Sequence, residues 1–370
     1  MMGNEKLVRV KSCPWCRSEL RTPNNIFDEK TNHYITSLLG TSEDLATELV
    51  KEMKGFKCLS CQTTYLDPWF TEDSMSNYFN NQKSVHKVGW GNFRQLVVNE
   101  FTSPASEINT EIITILMPEF KTLVKYIEVG CPFMGMLGYL SSLQSGESVN
   151  KKFAIVKENF FKDNWYARQF LRTSAANNLF EELLSKFFLT FNMLKYRLSH
   201  FGSIPTILQV KNKTGLDNSS IELILTTPRT HLMWRNNCVG EIGTCVSTAV
   251  KTFAVKHTNW GELENLNRSN RHKTLIAFFN TLDHQTEGEL KLISSLNIAK
   301  YVLVATHSNN SVQKQHAFMI EDTIKSLDSS LYIVRDLKLE SEKLRLLSED
   351  SFFLISLVKE PVDIFYIGQQ

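Results

Sequence analysis

At 370 residues the chain exceeds one small module, and at roughly 150 residues per domain it has room for two or three. Hydrophobic residues at 42% and charged residues at 22% match ordinary globular usage, which excludes wholesale disorder. With 41 Lys and Arg against 39 Asp and Glu, the formal charge of +2 argues against a protein that coats itself in nucleic acid. The cluster Lys6, Arg9, Lys11, Arg17 and Arg21 around the first C-x-x-C leaves a local basic patch, and with it a zinc-ribbon nucleic-acid binder, as a lesser reading.

The opening MMGNEKLVRVKSCPWC carries charges and no apolar stretch, so no secretory signal is expected there. The longest apolar runs, Ile112–Met117 and Phe352–Val358, have the size of buried strands or short core helices and fall well short of the ~20 residues that span a bilayer. Seven cysteines, four of them in two C-x-x-C pairs, fit a reducing, cytoplasmic setting with a metal site better than a disulfide framework.

Residues 1–70 are expected to form a zinc-binding domain around Cys13-Pro14-Trp15-Cys16 and Cys58-Leu59-Ser60-Cys61. Two such knuckles supply Cys13, Cys16, Cys58 and Cys61, four thiolates that can surround Zn²⁺ tetrahedrally in a closed, structural site. The alternatives are unconnected pairs of buried cysteines and a dithiol redox site, which is disfavoured because neither pair opens a helix after a strand. Between the knuckles, the spacing of Leu45, Leu49 and Met53 predicts a helix over Ser42–Lys54, capped by Thr41 or Ser42 and stopped by Gly55. Residues 71–105 read as a polar connector with the aromatic anchors Tyr78, Phe79, Trp90 and Phe93.

From 106 to 370 the pattern alternates between strand and helix. Strands are predicted at Leu123–Val129, Ile221–Leu225, Thr252–Val255, Leu275–Phe279 and Tyr301–Ala305, with helices at Gly135–Leu143, 241–251, 287–297 and 316–327. Such alternation implies an α/β fold with a parallel sheet and right-handed crossovers. Leu331–Arg335 and Phe352–Val358, with no long helix between them, read as an antiparallel pair closing the sheet. An insertion at 147–215 interrupts the alternation, and its aromatic helical stretch Asn177–Phe201 reads as a cap or dimer surface, or else a substrate lid.

Three places hold groups suited to chemistry at the carboxyl edge of such a sheet. Glu128-Val129-Gly130-Cys131, followed by Gly135, forms a strand–glycine turn–helix unit that aims backbone N–H groups above the edge. Asn280, Asp283 and His284 follow one strand and His307 follows the next, and a histidine there could take a proton from a hydroxyl because it titrates near neutrality. A cluster around Trp234, Asn236, Asn237 and Cys238 precedes the 241–251 helix, and His316 lies near the same rim. Histidines that merely cap strands or bond to loops are the plainer reading.

On these motifs, residues 105–360 resemble a class I S-adenosylmethionine-dependent methyltransferase, a Rossmann-like fold, with Glu128-Val129-Gly130-Cys131 in the place of the family's acidic-glycine motif. The N-terminal CPWC…CLSC resembles the zinc-binding domains that precede some sugar methyltransferases of bacterial surface-polysaccharide pathways. The resemblance implies S-adenosylmethionine held along Glu128, Gly130, Cys131 and Gly135 with Thr226 and Asn280 nearby, a sugar-like small-molecule acceptor, and His284 or His307, with Asp283, as the acid–base group. Apart from the resemblance, the aromatic insertion at 147–215 offers a surface for a homodimer or protein partner, the apolar runs are too short for a membrane span, and the near-neutral charge argues against a nucleic-acid partner. Pro132 and Met134 stand where the family places small residues, and Leu225-Thr226-Thr227 lacks the family's carboxylate at the end of the second strand. Those departures keep open a second reading, a non-catalytic binding or assembly module on the same fold.

Overall fold

The computed structural model describes residues 7–24, 53–70, 103–129, 135–146, 221–227, 254–259, 270–284, 287–308 and 318–359. The short N-terminal strands are β1 (Leu7–Val8), β2 (Arg21–Pro23), β3 (Lys54–Cys58), β4 (Thr64–Asp67) and β5 (Trp69–Phe70). Next come α1 (Ser103–Ile115), α2 (Met117–Phe120), β6 (Lys125–Val129), α3 (Gly135–Ser145), β7 (Glu222–Thr227), β8 (Lys256–Asn259) and β9 (Thr274–Phe279). The chain continues with α4 (Gly288–Ile298), β10 (Tyr301–Thr306), β11 (Phe318–Met319) and α5 (Glu321–Lys325). It closes with β12 (Tyr332–Asp336), α6 (Leu337–Glu340), α7 (Glu342–Leu347) and β13 (Ser351–Leu357).

The main sheet has seven strands in the order β12-β13-β10-β9-β6-β7-β8. The strands from β10 to β8 are parallel, and β13 runs antiparallel to both β10 and β12. The central strands are apolar on both faces, as TLIAFF in β9 and YVLVAT in β10 illustrate, because a parallel sheet is covered on both sides. Chain order reverses between β6 and β9, and the crevice at the carboxyl ends of strands beside such a reversal is where ligands of open α/β sheets bind.

Alternate side chains divide the core in two. Tyr126, Leu225, Ala277 and Leu303 face α1, α3, α6 and α7. Ile127, Ile276, Val304 and Phe353 face α4, α5 and the cysteine-bearing segment. That segment forms a four-stranded antiparallel sheet in the order β11-β4-β3-β2, to which residues far along the chain contribute the edge strand.

Several predicted elements fall differently. Lys54 and Gly55 already belong to β3, where they pair with Asp67 and Leu66, so a helix running to Lys54 with Gly55 as its stop is corrected to a strand start. Of the strand predicted at Thr252–Val255, residues 252 and 253 lie outside the described residues, while Ala254 takes a positive φ of 53° that breaks extension, and β8 starts at Lys256. Of the helix predicted over 316–327, Phe318–Met319 instead pair with β4 and helix starts at Glu321. The predicted helices at 42–52, 177–201 and 241–251, the insertion 147–215 and the 234–238 cluster lie outside the described residues.

Candidate functional site

The two cysteine knuckles are built alike. In the first, the Cys13 amide donates to the Ser18 carbonyl and the Arg17 amide donates to the Cys13 carbonyl; in the second, Cys58 donates to Thr63 and Gln62 to Cys58. In each, the residue after the second cysteine, Arg17 or Gln62, has φ near +60° (62° and 65°). The sequences share nothing but their cysteines, so the common turn comes from the need to aim two sulfurs at one point.

Those sulfurs converge. Cys13 Sγ lies 3.6 Å from Cys61 Sγ, Cys16 Sγ lies 3.7 Å from Cys58 Sγ, and all four sit within 4.8 Å of one another. A tetrahedron with metal–sulfur bonds of about 2.3 Å has edges of about 3.8 Å, so the site fits one ion held by four thiolates, the donor set that zinc takes. Burial pushes the Cys16 thiol up to about 12, and contact with Cys13 followed by burial pushes Cys61 up as well. Four ionised sulfurs at this spacing therefore require a cation, and a closed set of four leaves it structural. Among the described residues these cysteines are the one such group placed to share an ion.

The knuckles are locked onto the main sheet. The carbonyls of Pro14 and Trp15 accept from the amides of Glu287 and Glu289, donors at the start of α4 that the helix itself cannot satisfy. The Trp15 ring lies so close over Gly288 that a Cβ there would meet it at 2.3 Å. Arg17 pairs with Glu287, Lys57 with Asp322, and the hydroxyls of Thr63 and Thr323 meet at 2.7 Å. The module thus holds the chain just beyond two carboxyl-edge loops, at α4 after β9 and at β11–α5 after β10.

A second polar cluster lies at that edge. The register pairs Thr306 with Ser351, and one step further sets His307 opposite Asp350. His307 Nδ1 lies 2.9 Å from Asp350 Oδ1, and Asn280 Nδ2 donates to Asp350 Oδ2 at 3.0 Å. Asn280 takes φ 45° directly after β9, and its amide N–H donates to the Ala305 carbonyl, which tightens this corner. Burial lowers the His307 pKa, but the Asp350 hydrogen bond and the charges of Asp283 and Asp350 outweigh it, so the net shift is upward. Burial raises the Asp350 pKa, but the His307 bond and charge, the Asn280 bond and Lys338 reverse the sign.

The remaining predicted residues are spread around this edge. Glu128 is fully buried near the end of β6, and its Oε2 accepts from the Leu137 amide in the first turns of α3 and from the Tyr126 hydroxyl, both at 3.1 Å. Its carboxylate therefore secures the β6–α3 connection. Gly135 opens α3. Among the described residues, the Thr226 hydroxyl, buried near the end of β7, has no hydrogen-bond partner, and the same holds for Asn280 Oδ1 and the Thr306 hydroxyl. Asp283 is buried in the turn after β9, near enough to raise the His307 pKa. Gly130 and Cys131 lie outside the described residues, as does the His284 side chain, although the His284 backbone ends the short helix Leu282–His284.

Sequence reasoning missed Asp350. Its one signal was indirect: a strand read as antiparallel starts where its parallel neighbours end, so the acidic residues before Ser351 belong at the carboxyl edge. No protein-family model, curated protein or solved structure matches the chain.

Proposed function

We propose that the chain is a methyltransferase that moves a methyl group from S-adenosylmethionine to a hydroxyl of a sugar-like metabolite, with a structural zinc in its N-terminal module. The observation that carries this reading is a doubly wound sheet closed by an antiparallel strand, with unpartnered polar atoms and a His–Asp pair at the carboxyl edge beside its chain reversal. The Rossmann-like assignment rests on the same order. Among the described residues, Thr226 Oγ1 and Asn280 Oδ1 are buried with no hydrogen-bond partner, which suits them to a nucleoside's hydroxyls at the ends of β7 and β9.

Bound there, S-adenosylmethionine supplies an electrophilic methyl group on a sulfonium that leaves as a neutral thioether. Glu128 keeps the N-terminal turns of α3 facing the edge by accepting the Leu137 amide. His307 accepts the proton of the acceptor hydroxyl as its oxygen attacks, and the imidazolium then returns that proton to solvent. The body of the site contributes chiefly orientation and exclusion of water.

Calorimetric titration of the metal-loaded protein with S-adenosylmethionine and S-adenosylhomocysteine tests this reading. Micromolar binding is expected, weakened roughly fivefold by Thr226→Val, which removes a hydrogen bond worth about 1 kcal/mol. Folded protein that binds neither compound overturns it. The second reading, a non-catalytic binding module, has one observation in its favour: β7 ends in Thr226-Thr227 with no carboxylate, while the Glu128 carboxylate is engaged inside the fold.

A further inference from the structure

We propose that Asp350, held in turn by Asn280, is the positioning residue that fixes the His307 imidazole as the site's proton acceptor. The inference rests on the acid–base role given to His307 above, and it adds two residues and a direction for the proton. Three strand ends build the unit. Asn280 closes β9, His307 closes β10, and Asp350 precedes β13, the strand whose reversed direction brings its beginning to this edge. Each carboxylate oxygen of Asp350 has its own donor, Oδ1 from His307 and Oδ2 from Asn280, so its plane and distance are set from two sides. A carboxylate on Nδ1 selects the tautomer protonated at Nδ1, which makes Nε2 the basic nitrogen. When the substrate O–H breaks, its proton binds Nε2, and the Nδ1 proton stays in its bond to Asp350.

The charged surroundings agree. The charge of Asp283, in the turn after β9, acts on His307, Lys338 on α6 acts on Asp350, and Glu321 on α5 binds the neighbouring Ser308. The His307 pKa is raised, so its contribution to stability is complete below the ordinary 6.5 and is lost as pH rises through the raised value. The Asp350 pKa is lowered, so its contribution is complete above the ordinary 3.8 and is lost as pH falls through the lowered value. Between those ordinary values the pair holds the fold most strongly.

The test is ¹H–¹⁵N NMR of the histidine side chains in the full-length, metal-loaded protein, read against pH for wild type, Asp350→Asn and Asp350→Glu. Wild-type His307 should be protonated at Nδ1 when neutral and titrate above its ordinary value. Asp350→Asn should lower that midpoint by about one unit or more and mix the tautomers, and Asp350→Glu should restore much of both. An unchanged midpoint and tautomer in folded Asp350→Asn overturns the proposal. No cofactor is present in this measurement. A coupled shift with no S-adenosylmethionine binding therefore supports the His–Asp unit while the methyl-transfer reading falls.

Discussion

On one face of the seven-stranded sheet, α1, α3, α6 and α7 bury Tyr126, Leu225 and Leu303 with side chains that are apolar by helical spacing. On the other, among the described residues, α4 and α5 pack together with Cys13, Trp15, Cys58 and Tyr65 of the knuckle module in the same core as Ile127 and Phe278. The first face is held by ordinary packing. The second includes a module whose described residues form short strands and turns gathered around four sulfurs. The contrast suggests that a metal at one end of the chain governs the order of carboxyl-edge loops more than two hundred residues away, through Glu287, Gly288 and Thr323.

Removing the metal is therefore expected to have the largest effect and to be one-sided. Structural zinc contributes apparent binding energies of ~10–16 kcal/mol in small domains, so chelation or Cys58→Ser should unfold the module. Hydrogen exchange should then lose protection at β3 and β4, at the first amides of α4 and at β11, with α3 and β7 protected as before. Equal loss on both faces would show a single cooperative unit and break the comparison. Undiminished protection everywhere would mean that the sulfurs need no ion.

The next effect isolates the joint. Gly288 has no room for a methyl group beneath Trp15, so Gly288→Ala should cost about 1–3 kcal/mol in denaturant unfolding, the usual range for overpacking. In a Trp15→Ala background the same change should cost markedly less, because the clashing ring is gone. Equal costs in the two backgrounds would remove Trp15 as the point of attachment.

Much of the main sheet was legible because β9 and β10 are nearly continuous apolar runs, as suits a sheet covered on both faces. The cysteines were legible too, since their spacing restricts the chemistry. The β4–β11 pairing could not be read: Phe318 and Met319 are too short a stretch to show strand alternation, and they pair with an edge of β4 far away in the chain. Glu128 matched a cofactor motif by position, but the bonds its Oε2 accepts from the Leu137 amide and the Tyr126 hydroxyl depend on how α3 packs across β6 and could not be read. Asp350 became visible only with the direction of β13.

The smallest expected effect separates the metal's turn geometry from the module's surface charge. Arg17 and Gln62 occupy equivalent places after the second cysteine, and both hold a left-handed backbone that glycine adopts without a Cβ penalty. Glycine at either place gains that relief and loses part of it to the greater freedom of the unfolded chain, so each substitution should change stability by less than about 1 kcal/mol. The two differ in one respect. Arg17→Gly also removes an exposed ion pair with Glu287, whose partners are 62% and 44% exposed, while Gln62→Gly removes only a hydrogen bond to the Leu59 carbonyl. An exposed pair of this kind contributes about 0.2–1 kcal/mol and fades with salt, so Gln62→Gly should be the more stable of the two in dilute buffer. In thermal melts run with added salt the two variants should converge. A gap that persists at high salt would mean that Arg17 holds the module to α4 by packing as well as charge, and would make the ion pair part of the joint that Trp15 and Gly288 form.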